Sequence, residues 1–219
     1  MSRCFIAGAG EYCGTYTPKS GDYIVAADGG YAALVSRGIT PDVVVGDFDS
    51  LETAPRHKNI IRAAPEKDDT DMLLAIKQGF THGCSTFVID GGMGGRFDHT
   101  FANIQLLAYI ARRGCEQNSG ARGYLLGRGI CITAVTNGSV GFSRGASGGI
   151  SVFSFSPMSQ GVTLAGLKYS LSDAVLTCDY PIGVSNEFTG APAAITVRDG
   201  TLIVTWSCGM EFIRVEGEQ

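Results

Sequence analysis

The sequence predicts an α/β N-terminal domain, with a mainly parallel sheet and helices on both faces, followed by an all-β sandwich C-terminal domain. Two observations support this division. Strand and helix signals alternate in the first half, whereas short β-branched segments separated by glycine, serine and asparagine dominate from about residue 120. Alternating elements are typical of a parallel sheet covered by helices, and successive short strands are typical of a sandwich. We place the domains at residues 1–118 and 119–219.

Five short apolar segments in the first domain indicate strands, and several of them end in glycine or aspartate. They occupy residues 3–10, 23–28, 42–50, 59–64 and 85–92. Helices are predicted at residues 31–38, 70–83 and 98–114, where apolar side chains recur at helical spacing. The third helix carries four apolar residues on one stripe, namely Phe101, Ile104, Leu107 and Ile110.

The second domain shows strand patterns and turn signals only. The strand candidates are residues 129–135, 149–156, 193–200 and 201–206. The dipeptides Asn137-Gly138 and Asp199-Gly200 are the residue pairs that two-residue hairpin turns favour, so we expect a hairpin at each.

Composition excludes some classes of protein. The chain has 219 residues, of which 44% are hydrophobic and 17% charged, as in ordinary globular proteins. A net charge of −4 argues against a general nucleic-acid binder, and no apolar stretch reaches the length of a membrane span. Seven scattered cysteines and the lack of a signal peptide favour free thiols in the cytoplasm.

Acidic residues follow the predicted strands of the first domain. Asp28 ends one strand and Asp47 and Asp49 end the next, whereas Asp71 and Asp98 each open a helix. In an open α/β sheet, ligands bind beyond the carboxyl ends of the strands. Glycines flank most of these acids and let the backbone approach a ligand closely. We therefore expect one acidic rim at this edge of the sheet.

Carboxylates that converge on one place require a cation between them. Oxygen ligands without cysteine suit a hard ion, which favours Mg²⁺ held by Asp47, Asp49 and Asp71. The neighbouring cations Lys67 and Arg96 can bind phosphate oxygens, and the metal and cations together are typical of phosphoryl transfer.

Some of these residues also have a purely structural interpretation. Asp68 or Asp69 could instead cap the helix that begins near Thr70. His99, beside Asp98, could be a metal ligand or a hydrogen-bonded residue early in a helix.

Several motifs resemble those of the thiamine pyrophosphokinase family. ADGG, PDVVVGDFDS, EKDDTDMLLAI and GGMGGRFDHTFANI occur in the family's order and spacing, and GLKYSL and GVSNEF resemble its thiamine-side motifs. The segment at residues 116–128 matches no motif, and the segment at residues 143–149 is richer in glycine and serine than a hairpin needs. The resemblance implies transfer of the pyrophosphoryl group of ATP to the hydroxyl of thiamine, with release of AMP, by a homodimer.

The resemblance also implies a role for particular residues. The acidic Mg²⁺-ATP site would comprise Asp28, Asp47, Asp49, Asp71 and Asp98, of which all but Asp28 are catalytic candidates together with Arg96. Further contacts to ATP would come from Gly29, Lys67, Asp68, Thr70, Arg96 and His99. Thiamine would lie near Leu167, Tyr169, Ser185, Asn186 and Trp206, in a pocket that crosses the dimer interface.

Three other functions remain open at this point. DFDSL resembles the D-x-D-x-T/V motif of Mg²⁺-dependent haloacid-dehalogenase-type phosphatases, although it follows the third predicted strand rather than the first. PDVVVGDFD resembles the phosphoacceptor strand of a receiver domain, which would be a binding module. The β-rich half alone could also be a carbohydrate-binding sandwich.

Overall fold

The computed structural model describes residues 2–48, 57–62, 69–207 and 213–214, the last pair by their backbone. The first half contains β1 (Ser2–Ala7), β2 (Tyr23–Ala27), α1 (Gly30–Ser36), β3 (Val43–Gly46), β4 (Ile60–Arg62), α2 (Asp71–Thr81), β5 (Cys84–Asp90) and α3 (Phe97–Glu116). The second half contains β6 (Arg122–Gly127), β7 (Ile130–Phe142), β8 (Gly149–Ser154), β9 (Met158–Ala165), β10 (Leu171–Thr177), β11 (Asn186–Glu187), β12 (Ala193–Trp206) and β13 (Ile213–Arg214).

Six parallel strands form the N-terminal part of the sheet, in the order β4-β3-β2-β1-β5-β6. The five strands and three helices predicted in this half are all present. The sixth strand, β6, lies within residues 116–128, which matched no motif. It also lies beyond residue 118, so the parallel sheet continues past the predicted end of the first domain.

Helices cover both faces of this parallel sheet. Side chains alternate along β1: Phe5 lies in one core cluster with Leu34 of α1, whereas Ile6 lies in the other with Ile76 of α2 and Leu107 of α3. All five of these residues are fully buried. None of the described helices is long and apolar enough to cross a membrane.

The second half continues the same sheet. β6 turns back into β7, and β7 pairs along most of its length with β12. The first half of β12 pairs with β9 and the second half with β8, so one mixed sheet of 13 strands contains every described strand. A single core cluster reaches from Phe5 in β1 to Trp206 in β12.

The hairpin predictions at Asn137-Gly138 and Asp199-Gly200 are wrong. Both dipeptides lie inside long strands, β7 and β12, and face each other across a shift in register. Asn137 has a φ of 46° and Gly200 a φ of 120°, and the Gly200 N–H donates to Asn137 Oδ1 at 2.9 Å. The left-handed backbone that these residues favour therefore forms an irregularity between paired strands instead of a turn.

The apolar stripe of α3 is only partly buried. Leu107 and Ile110 are buried, but Phe101 is 51% exposed and Phe97, one turn earlier, is 79% exposed. The early turns of α3 thus carry apolar side chains on their outer surface, whereas Asn103 on the opposite side is buried.

Candidate functional site

Three of the predicted acidic residues come together beyond the carboxyl ends of the parallel strands. Asp28 follows β2, Asp47 follows β3, and Asp71 is the first residue of α2. One carboxylate oxygen of each lies within 4.8 Å of the others, and all three residues are half-buried. This spacing allows the three side chains to bind one cation.

The backbone around Asp28 holds that residue in an uncommon conformation. Its φ is 46°, its N–H donates to the carbonyl of Val45 at 2.8 Å, and its carbonyl accepts the N–H of Tyr31 at 3.2 Å. A Cβ on Gly46 would lie 3.3 Å from the Asp28 Cα, so glycine suits the close approach of the two strand ends. β2 and β3 therefore bring Asp28 and Asp47 together.

The N-terminus of α2 places Asp71. Thr70 is the N-cap: its backbone is extended and its hydroxyl accepts the N–H of Leu73 at 3.2 Å. The predicted alternative that Asp69 caps this helix is wrong, because Thr70 is the N-cap; the Asp69 carboxylate instead accepts a hydrogen bond from Lys77 Nζ at 2.6 Å. Of the neighbouring acids Asp69 and Asp71, only Asp71 belongs to the cluster.

Two glycine-rich loops form a cleft beside the cluster. One follows β1 and the other follows β5, and the cleft has a volume of about 340 Å³. Its lining includes Gly8, Gly10, Gly91, Gly92, Gly94, Gly95, Asp28, Thr70, Asp71, Arg96, His99 and Asn103. The predicted ATP contacts Asp28, Thr70, Arg96 and His99 thus share one cleft.

A larger open depression, of about 1030 Å³, lies at the amino-terminal ends of the parallel strands, where Tyr23 stacks on His82. Asp28, Asp47 and Asp71 do not line it. We assign the candidate site to the smaller cleft because the converging acids and glycine loops are there.

Arg96 and Asp98 form an exposed ion pair at the start of α3. The Arg96 guanidinium donates to both carboxylate oxygens, at 3.2 Å and 2.6 Å, and the Asp98 carboxylate also accepts the N–H of His99. The hydrogen bond from Arg96 lowers the pKa of Asp98 below its ordinary value. Asp98 lies outside the cluster of three acids that the structure brings together.

The predicted thiamine-side residues differ in exposure. Asn186 is buried and acts as a clasp: its Oδ1 accepts the Tyr169 N–H at 3.0 Å, and its Nδ2 donates to the Tyr169 carbonyl at 2.6 Å. The Tyr169 ring is 59% exposed, and Ser185 beside the clasp has a φ of 59°. Leu167 is buried and forms an isolated bridge with Phe188.

Trp206 requires a correction. Its ring is 1% exposed and packs edge-on against Phe142, with 5.3 Å between ring centroids. A ligand cannot contact this ring without opening the core, because β12 turns the side chain inward. The structure therefore assigns Trp206 to the core rather than to a thiamine pocket.

Three predicted site residues, Asp49, Lys67 and Asp68, lie outside the described residues. Two residues near the cleft were missed from the sequence. Asp90 is fully buried at the end of β5, and Asn103 donates to the Gly92 carbonyl at 2.7 Å. Asp90 stands beside two glycines in the sequence, as Asp28 does, and that signal could have identified it.

Comparisons with known proteins agree with these motifs. Residues 16–117 match the family described as thiamin pyrophosphokinase, catalytic domain, and residues 144–202 match its vitamin B1 binding domain. The chain is 31% identical to the thiamine pyrophosphokinase of Bacillus subtilis (strain 168) over 190 residues, covering 82% of this chain and 85% of that protein. It is 26% identical to thiamin pyrophosphokinase 1 of Caenorhabditis elegans over 180 residues, covering 76% and 72% of the two chains.

Solved structures show the same fold. The crystal structure of thiamine pyrophosphokinase from Bacillus subtilis has a TM-score of 0.79 at 26% identity, over 96% of this chain and 100% of that one. The thiamin pyrophosphokinase of Geobacillus thermodenitrificans has a TM-score of 0.80 at 24% identity, over 97% and 100%. The motifs, the family matches and the curated relative agree, and the chain belongs to the thiamin pyrophosphokinase family.

Proposed function

We propose that this chain transfers the pyrophosphoryl group of ATP to the primary hydroxyl of thiamine, giving thiamine diphosphate and AMP. The observation that carries the proposal is the convergence of Asp28, Asp47 and Asp71 beside a cleft lined by two glycine-rich loops. Membership of the family supplies the identity of the two substrates.

The donor set of the cluster fits Mg²⁺. Asp28, Asp47 and Asp71 offer three carboxylate oxygens close together, which suits a hard cation that shares its coordination with substrate phosphates. We propose that these residues hold Mg²⁺, and Asp49 is proposed to join them. When bound, the ion would offset charge on the phosphates and on the departing AMP.

Residues of the cleft would orient the phosphates. Arg96 is bound to Asp98 through two nitrogen donors, a geometry that also fits phosphate oxygens. We propose that Arg96 turns from Asp98 to the transferred group. Further contacts to the phosphates are proposed from Thr70, His99, Gly29, Lys67 and Asp68. Asp98 would then be available near the acceptor hydroxyl, and positioning of the reactants would supply much of the catalysis.

We propose that residues 1–118 bind the nucleotide and that residues 119–219, apart from β6, which extends the parallel sheet, form a β-sandwich that binds thiamine and mediates formation of a homodimer. The match of residues 144–202 to the family's vitamin B1 binding domain supports this assignment. Tyr169 and Ser185 are proposed to face thiamine, whereas the buried Leu167 and Asn186 would shape the segment that carries them.

The phosphatase and receiver alternatives are not favoured. The motif DFDS follows β3, next to the edge strand β4, and both relatives named above are thiamine pyrophosphokinases. A carbohydrate-binding sandwich would leave the acid cluster in the other half without a role.

The decisive experiment is incubation of the purified chain with ATP, Mg²⁺ and thiamine, followed by chromatography of the products. We expect AMP and thiamine diphosphate in equal amounts, and no product after chelation of Mg²⁺. Release of inorganic phosphate from simple monoesters without thiamine would support the phosphatase instead. The absence of thiamine diphosphate under all conditions would refute the proposal.

A further inference from the structure

A buried acid that the proposed mechanism does not use lies under the cleft. Asp90, the last residue of β5, has no exposed surface. Its Oδ1 accepts the N–H of Cys13 at 2.9 Å and the N–H of Gly91 at 3.0 Å. Its Oδ2 accepts the thiol of Cys13 at 3.4 Å. Because burying a carboxylate is costly, three such donors indicate a site that the fold has built around it.

The main chain at this position joins the two glycine-rich loops. The Gly8 N–H donates to the Asp90 carbonyl at 2.8 Å, and the Gly10 N–H donates to the Gly91 carbonyl at 2.6 Å. Asp90 therefore holds the loop after β1 at two points, by its carbonyl at Gly8 and by its side chain at Cys13. The side chain fixes the far end of that loop, where the backbone pairing has ended.

The two loops approach each other so closely that no side chain fits between them at these glycines. A Cβ on Gly8 would lie 2.4 Å from the Gly91 carbonyl oxygen, and one on Gly10 would lie 2.4 Å from that of Met93. The same glycines line the cleft assigned to ATP. A shift of either loop therefore changes the position of the backbone groups that face the phosphates.

We propose that Asp90 is a positioning residue for the nucleotide, which sets the spacing of the two loops through hydrogen bonds rather than through its charge. This inference rests on the proposed function, because it assumes that the cleft binds ATP. It assigns Asp90 no contact with substrate or metal.

The arrangement of the donors provides a discriminating pair of variants. Both backbone N–H groups converge on Oδ1, so the side-chain oxygen of asparagine can accept both. The amide group of asparagine would then face the Cys13 sulfur in place of Oδ2. Asp90→Asn therefore keeps the two backbone hydrogen bonds to Oδ1 but removes the charge, whereas Asp90→Ala removes both the hydrogen bonds and the charge.

Steady-state kinetics with varied ATP at saturating thiamine tests the inference. We expect Asp90→Asn to have a KM for ATP close to that of the parent. In Asp90→Ala, we expect kcat/KM for ATP to fall by about 10- to 100-fold, mainly through KM, because misplaced binding groups weaken positioning. If Asp90→Ala does not fold, Asp90→Leu, which fills the same space, replaces it.

Asp22→Asn is the matched control. Asp22 is also a buried acid, with a side chain 3% exposed, but it binds Arg3 and the Lys19 N–H near the start of β2, away from the cleft. We expect it to lower the melting temperature without changing the KM for ATP.

Amide hydrogen exchange provides a readout that does not depend on activity. We expect the Cys13 and Gly91 amides to stay protected in Asp90→Asn and to exchange faster in Asp90→Ala or Asp90→Leu. An Asp90→Asn variant as impaired as Asp90→Ala, or an Asp90→Ala variant with the parent's KM, would overturn the inference. Failure of the proposed function would look different, because the parent itself would then form no thiamine diphosphate.

Discussion

At the scale of single residues, the chemistry of this site depends on which of several neighbouring acidic residues places its side chain in the acidic cluster. Asp69 and Asp71 are two positions apart, yet one binds Lys77 and the other faces Asp28 and Asp47. The difference arises because Thr70, with an extended backbone, caps α2, so that Asp71 is the first residue of the helix and Asp69 precedes the cap. Residue type alone therefore identifies candidate metal ligands, and the position of the helix start determines which of them lies in the acidic cluster.

Asp71→Asn tests the metal assignment. Removing one of the charged ligands should lower pyrophosphoryl transfer by about 100-fold or more, because charge on the phosphates would be less well offset. The matched control is Asp69→Asn, which breaks a partly exposed ion pair worth at most about 1 kcal/mol and should leave activity near the parent's. Thermal melting with and without Mg²⁺ gives a second readout. Full activity in Asp71→Asn would show that the assignment is wrong.

Tyr12 provides a pH-dependent test of the loops. Burial, with a smaller contribution from Asp90, raises the pKa of Tyr12 to about 12. Because the unfolded chain loses this proton near pH 10, the associated stability is complete below pH 10 and is lost as the pH rises towards 12. The Tyr12 hydroxyl also donates to the Gly8 carbonyl at 2.7 Å, a bond worth about 1 kcal/mol.

Urea unfolding of the parent and of Tyr12→Phe from pH 8 to pH 12 measures this contribution. We expect the parent to be more stable at pH 8 and the difference to shrink above pH 10, because phenylalanine does not ionise. A difference that stays constant across the whole range would contradict the assigned cause.

At the scale of elements, the sequence pattern predicted correctly those features that depend on residues close together in the chain. Asp28 and Asp47 follow β-branched or alanine-rich strands, and their positions at the ends of β2 and β3 were predicted correctly. Asn137 and Asp199 were misassigned to hairpins because their preference for left-handed backbone is local, whereas its use depends on the pairing of β7 with β12. Phe101 shares an apolar stripe with Leu107 yet is exposed, because helical spacing does not show which part of a stripe the sheet covers.

The N-cap of α2 gives a prediction at this scale. Thr70→Ala removes the acceptor for the Leu73 N–H and should lower the free energy of unfolding by about 1 kcal/mol. Thr70→Ser keeps a hydroxyl acceptor and should retain most of the stability. Equilibrium unfolding of both variants measures the difference. If serine destabilises the chain as much as alanine, the cap is not the reason that threonine is required here.

At the scale of the whole molecule, the two halves share one sheet and one core cluster. β6 pairs in parallel with β5 and in antiparallel with β7, so it joins the α/β part to the β-rich part. The sequence predicted two separate units because alternating strand and helix signals give way to successive short strands after α3. It did not predict the junction, since pairing across about 30 residues leaves no periodic signal in either segment.

The β-rich half also carries exposed apolar side chains that a single copy leaves in water. They are Met158, Tyr169, Val175, Tyr180, Ile182 and Val184, each between 45% and 68% exposed. Large apolar groups close together in the sequence and exposed in this way are typical of an interaction surface. We propose that a second copy of the chain covers them, as the family resemblance implies for a homodimer.

Ile182→Glu tests this homodimer, because a charge would have to be buried in the interface. Analytical ultracentrifugation should show a dimer for the parent and monomer for this variant. Loss of thiamine diphosphate synthesis should accompany dissociation, since the thiamine pocket is proposed to cross the interface. The control is Val35→Glu, a similarly exposed apolar position on α1 in the other half, which should remain dimeric and active. A parent chain that sediments as a fully active monomer would remove both the interface and the shared pocket.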